Sequence, residues 1–154
     1  MQLAEKLNEK KMLLNNFKQM IFYGIQVEDF VQVEEYVQKG LCYLQKEEKI
    51  TEERGVFMRL LGCYFLHKGE YTKAEKTLIE AMKIFRECAK GKEHFNMSIA
   101  ACQGYLGDSS RCQGDLEMAA VYYERAIEMG KGKVVTNGLG QFYSGMGQIF
   151  ISSE

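Results

Sequence analysis

Residues 60–81, LLGCYFLHKGEYTKAEKTLIEA, return 45 positions later as residues 105–126, YLGDSSRCQGDLEMAAVYYERA. Leu61-Gly62 falls on Leu106-Gly107, Gly69-Glu70 on Gly114-Asp115, Ala74 on Ala119, Leu78 on Tyr123 and Ala81 on Ala126. Each stretch reads as two helices hinged at a glycine followed by an acid. Small residues recur where two helices must cross closely, and the large ones between them fill the remaining gaps. The acid after each hinge glycine is placed to cap the second helix, or to meet the positive end of its dipole.

The pattern extends in both directions. EDFVQVEEYVQKGLCYL, residues 28–44, reads as another second helix, with Phe30, Val33, Val37 and Gly40 standing where Tyr71, Ala74, Leu78 and Ala81 stand. Its first helix is MLLNNFKQMIFYGI, residues 12–25, which has Ile21 in place of the glycine. Downstream, GQFYSGMGQIF, residues 140–150, spaces Tyr143, Met146, Gly147 and Phe150 as Met58, Leu61, Gly62 and Phe65 are spaced. The sequence therefore predicts one domain over 1–154, with units near 14–50, 55–90 and 100–130 and an unpaired first helix at 138–152. That makes about seven principal helices. The fourth is expected to run to about Lys90 and break at Gly91, with the next starting by His94.

These residues resemble the tetratricopeptide repeat, whose pattern is W-x2-L-G-x2-Y, then A-x3-F, then A. The best unit reads Met58-x2-Leu61-Gly62-x2-Phe65 and Ala74-x3-Leu78-x2-Ala81. The next reads Gln103-x2-Leu106-Gly107-x2-Ser110 and Ala119-x3-Tyr123-x2-Ala126. No unit has the proline that usually ends the second helix of this family, since the chain has none. The resemblance implies an all-α fold of stacked antiparallel hairpins forming a right-handed α-solenoid. Equivalent positions Leu14, Gly55, Ala100 and Gly140 give steps of 41, 45 and 40 residues, against roughly 34 in the family. Such long repeats are similar to those of bacterial regulators of the maltose-operon activator class, quorum-sensing peptide receptors and kinesin light chains.

Composition limits the function. The chain of 154 residues is 46% hydrophobic and 27% charged, the balance of a globular protein, and its net charge of −1 gives no global attraction to phosphates or anionic lipid. Direct nucleic-acid binding and membrane binding are not expected. No stretch approaches the ~18 apolar residues of a membrane span, and the mixed charges of MQLAEKLNEKKMLLNN are unlike a secretory signal. The five cysteines, Cys42, Cys63, Cys88, Cys102 and Cys112, include no Cys-x-x-Cys pair. They read as reduced, mostly core residues of a cytoplasmic protein.

Catalytic chemistry is not legible. His67 and His94 are the only histidines and neither lies in a catalytic motif. GYLGDSS lacks the Lys-Ser/Thr of a phosphate loop, and GKGKVVTNG reads as a linker after a helix. No catalytic residue, cofactor or metal site is expected, and the chain reads as a non-enzyme.

Function is then expected on the exposed face of the first helices. In the family these line the concave side of the stack, and the corresponding positions here are Asn15, Lys18 and Phe22; Arg59, Cys63 and His67; and Tyr105, Asp108 and Arg111. Arg59 and Arg111 have the fork geometry to hold a carboxylate or a peptide backbone, with Phe22 and Tyr105 as apolar walls. The clamp by which chaperone-binding members hold an acidic tail is not reproduced. Its Lys and Asn places hold Arg59 and Cys63, the next unit has Tyr105 for Asn, and Gln141 and Gly145 stand for the last Lys and Arg. Shifting the clamp one unit earlier gives Lys18, Phe22, Leu60, Ala101 and Tyr105, which fails as well.

The expected role is a peptide- or protein-binding scaffold, the sensor or interaction region of a larger bacterial regulatory protein. The alternative is a structural assembly module that pairs through its end faces. The last first helix, with Tyr143, Met146 and Phe150 uncovered, is expected either to continue into a longer chain or to self-associate through residues 140–151.

Overall fold

The computed structural model describes residues 2–46, 50–90 and 95–130. They form six helices: α1 (Gln2–Gln26), α2 (Phe30–Gln45), α3 (Glu52–His67), α4 (Tyr71–Ala89), α5 (Asn96–Cys112) and α6 (Leu116–Gly130). The all-helical class and the pairing of neighbours into hairpins are as the repeat predicts. The expected seventh helix, with Tyr143, Met146 and Phe150, lies outside the described residues, as does the break between Gly91 and His94. The chain divides into two compact units, Met1–Ile50 and Thr51–Glu154.

The three hairpin turns are built alike. At Gly69 the N–H donates to Leu66 O and that of Glu70 to Phe65 O, and Gly114 and Asp115 repeat the pair with Arg111 O and Ser110 O. Glu28 and Asp29 do the same with Ile25 O and Gly24 O. This doubly bonded helix end requires a left-handed residue, which Gly69 (φ 78°) and Gly114 (φ 84°) adopt without a Cβ clash. Glu28 holds the same conformation at φ 58°. Glu28→Gly is therefore expected to raise the stability of the first hairpin by about 0.5–1 kcal/mol. Urea denaturation checks it, and a loss of stability would contradict it.

Of the two acids that follow a hinge glycine, Asp115 caps its helix and Glu70 does not, while Asp29, which no glycine precedes, caps α2. Asp29 accepts from Gln32 N at 3.2 Å and Asp115 from Met118 N at 3.1 Å. Glu70 makes no such bond, and its carboxylate instead lies 3.3 Å from Lys73 Nζ and 3.7 Å from Lys68 Nζ. The extra methylene carries the carboxylate past the N–H groups that an aspartate would reach.

In the first unit Leu14, Ile21 and Ile25 of α1 and Val33, Val37 and Leu44 of α2 are buried. The hairpin lacks a glycine at position 21, as read from the sequence, yet its helices still approach closely at a glycine. A Cβ on Gly24, one turn later, would collide with Val33 Cγ2. The small residue has moved along α1 and the large one is Val33.

In the second unit the 45-residue offset appears as geometry. A Cβ on Gly62 would lie 2.6 Å from Leu78 Cγ, and one on Gly107 would lie 2.7 Å from Tyr123 Cε1. Hairpin α3/α4 stacks on hairpin α5/α6 through α4 against α5, and α3 also touches α5. The main core runs between them, from Leu78, Ala81, Met82, Phe85 and Ala89 to Phe95, Ile99, Cys102 and Leu106. Glu75 of α4 accepts from Gln113 Nε2 at 2.7 Å and from the buried Ser109 Oγ at 3.4 Å, a polar tie across the same junction.

All five cysteines are free, but the expectation that most are core residues is corrected. Only Cys102 is fully buried, while Cys42 and Cys112 are exposed near the ends of α2 and α5. Among the described residues no helix is long and apolar enough to cross a membrane.

Candidate binding face

Stacking two hairpins sets α3 beside α5, and this brings together candidates that are more than forty residues apart in sequence. Arg59 and Cys63 lie one turn apart on α3; Tyr105, Asp108 and Arg111 lie at one-turn intervals on α5. All five are partly buried. Tyr105 and Cys63 influence one another across the two helices. Burial holds the Cys63 thiol above its ordinary pKa and pushes the Tyr105 hydroxyl up to about 12. Both stay protonated at neutral pH, so they offer hydrogen bonds to a ligand and no nucleophile.

Asp108 and Arg111 belong to a second cluster one turn further along. The hydroxyl of Tyr123, on α6, donates to Asp108 Oδ1 and accepts from Arg111 Nε at 3.3 Å. Arg111 Nη2 is also 3.7 Å from Asp108 Oδ1. Burial raises the pKa of Asp108, and the bonds to Tyr123 and Arg111 oppose that rise. Arg111 is thus bound to its own protein, where the sequence offered it as a free fork.

Tyr123 is the residue that sequence reasoning missed. Aligned with Leu78, it read as a packing residue, and its ring does pack on Gly107. A tyrosine at a fully buried repeat position needs a partner for its hydroxyl. The acid directly after the partnering glycine, Asp108, was the signal.

The remaining candidates lie at the end of α3 and on α1. His67, the last residue of α3, is exposed. In the first unit, Asn15, Lys18 and Phe22 share one side of α1 at helical spacing. Asn15 is exposed, Lys18 partly buried, and Phe22 57% exposed.

Gln103 is a buried polar group with an unmet need. It occupies the repeat position of Met58, is 6% exposed, and its Oε1 has no hydrogen-bond partner. Methionine has nearly the same shape and nothing to satisfy. Gln103→Met is expected to stabilise the second unit by about 1 kcal/mol, read from the urea midpoint. A loss of that size would show that the amide has a donor.

No family model matches the sequence, and no curated protein matches it. Among solved structures the chain is similar to BtubC (BKLC) from P. vanneervenii, with a TM-score of 0.64 and 17% identity over 99% of this chain and 67% of that one. At that identity the likeness is one of fold, and the fold is a helical-repeat array.

Proposed function

We propose that the chain is a non-catalytic, tetratricopeptide-type scaffold that binds a peptide or protein segment across the exposed side of α3 and α5. One observation carries this reading. Arg59 and Cys63 on α3 and Tyr105 and Asp108 on α5 come from two repeats whose first helices touch, and all four are partly buried. A polar, half-buried strip of this kind suits an extended backbone, which needs donors and acceptors at short intervals. In this reading the protein works in the cytoplasm, as the interaction or sensor region of a larger bacterial regulator.

The test begins with peptides selected from a random library against the whole chain. Their affinity is expected to fall about tenfold or more in Arg59→Ala with the urea midpoint unchanged. Arg111→Ala is expected to act chiefly on stability, lowering it by about 1 kcal/mol through loss of the Tyr123 contact. Undiminished affinity in both variants and in their double would move the site off this face.

A second reading, assembly through an end face, is favoured by one observation. Among the described residues, eight of the ten large exposed hydrophobics fall in the first unit: Leu3, Met12, Leu13, Phe22, Tyr23, Val27, Val31 and Ile50. Concentrated exposed apolar surface marks contact sites. Sedimentation of the wild type against Phe22→Glu/Val31→Glu separates the readings: concentration-dependent association lost in the double variant supports assembly.

A further inference from the structure

From Met12 to Val27 the chain carries one charge, Lys18. At the overall average of 27% charged residues, a run of this length would hold about four. Burial divides this part of α1 into two sides. Leu14, Ile21 and Ile25 are buried on the side that packs on α2, where Gly24 meets Val33. Away from them, at intervals of three and four, stand Leu13, Asn16, Met20, Tyr23 and, just past the end of the helix, Val27. Met12 and Gln19 lie alongside. Met12 is 67% exposed, Tyr23 59%, Val27 51% and Leu13 45%; Asn16 and Gln19 are exposed and Met20 is partly buried.

The second unit shows what this side of a first helix does. In the repeat that sets Leu14 on Ala100, the same five places on α5 are Ile99, Cys102, Leu106, Ser109 and Gln113. Ile99, Cys102 and Leu106 belong to the core between α4 and α5, and Ser109 and Gln113 donate to Glu75 of α4. On α5 this side is therefore a helix-docking side, and on α1 it is exposed. Its chemistry differs at one end. Where α5 offers Ser109 and Gln113 to an acid, α1 has Tyr23 and Val27, so a helix bearing such an acid does not suit it.

The missing charge selects the occupant. A two-fold axis sets each residue near it against its own counterpart, so that any charge there would face a like charge. Methionine and tyrosine pack on themselves without that penalty, and an amide both donates and accepts.

We infer that this side of α1 docks on the same side of α1 in a second copy of the chain, the two helices crossing near Met20. Met12, Leu13, Met20 and Tyr23 form the apolar centre, and the amides of Asn16 and Gln19 supply its polar contacts. This rests on the assembly reading above and gives it one face and one partner.

Sedimentation equilibrium of the whole chain over a range of concentrations tests it, with Tyr23→Glu and Tyr23→Lys run singly and as an equimolar mixture. Tyr23 is exposed, so neither charge enters the core, and circular dichroism checks that helicity is kept. The wild type is expected to rise to twice the mass of one chain and no further. Dimer affinity is expected to fall about tenfold or more in each variant alone and to return in the mixture, where opposite charges meet across the axis. A wild type that stays monomeric up to its solubility limit overturns the inference and the assembly reading together. Growth past two copies, or loss in both variants without recovery on mixing, overturns the two-fold contact. Association that persists in both Tyr23 variants and is lost in Phe22→Glu/Val31→Glu overturns this face while the assembly reading stands.

Discussion

Phe85→Ala should cost the second unit about 3–5 kcal/mol, the range for deleting a fully buried aromatic ring. Phe85 is 0% exposed and belongs to the cluster that joins the two stacked hairpins. Its ring fills the space left by Gly55 on α3, where an added Cβ would lie 2.8 Å from Cε1, and it lies 5.9 Å from the ring of Phe95, just before α5. One side chain thus touches three successive segments, and neighbours already locked by close packing cannot collapse into the space it would vacate. With small domains stable by only about 5–15 kcal/mol, much of the folded margin is at stake. Urea denaturation followed by circular dichroism measures it. A loss below about 1 kcal/mol would mean that the hairpins are not joined through this ring.

Gly107→Ala is expected to cost about 1–3 kcal/mol and to disturb the candidate face as well. The new methyl would lie 2.7 Å from Tyr123 Cε1 and 2.8 Å from Cδ1, too close for either group to remain in place. The ring cannot withdraw freely, because it is 1% exposed and its hydroxyl is held by Asp108 and Arg111. Relief must come either from separating α5 and α6 or from breaking those hydrogen bonds. The companion variant Tyr123→Phe keeps the ring and loses only the hydroxyl. It is expected to cost about 1 kcal/mol and to leave the close approach intact. Near-neutral Gly107→Ala, with the Arg111 Nε signal unmoved, would contradict the described packing.

How far the sequence could be read depends on which interactions are periodic. The 45-residue offset, the hinge at Gly69 and Gly114 and the small residues Gly62 and Gly107 are backbone requirements. They leave the same residue type at the same spacing and were legible. The cap at Glu70 was not, because a one-carbon difference between Asp and Glu decides whether the carboxylate reaches the amides. Gly24 was missed because the first hairpin moves its close approach one turn along, which keeps the packing but breaks the pattern.

The candidate face was legible as positions and not as partnerships. Spacing put Arg59 and Arg111 on the first helices, but only the packing of Tyr123 onto Gly107 brings its hydroxyl to Asp108 and commits Arg111 to the protein. The concentration of exposed apolar residues in the first unit was also hidden, since an apolar residue reads alike whether or not anything covers it.

The most direct test of the binding reading is a footprint. Backbone amide shifts of the whole chain, titrated with a peptide selected from the random library, should concentrate on Arg59, Cys63, Tyr105 and Asp108, along α3 and α5. A footprint on the outward sides of α4 and α6, or on the exposed apolar residues of α1 and α2, would contradict it.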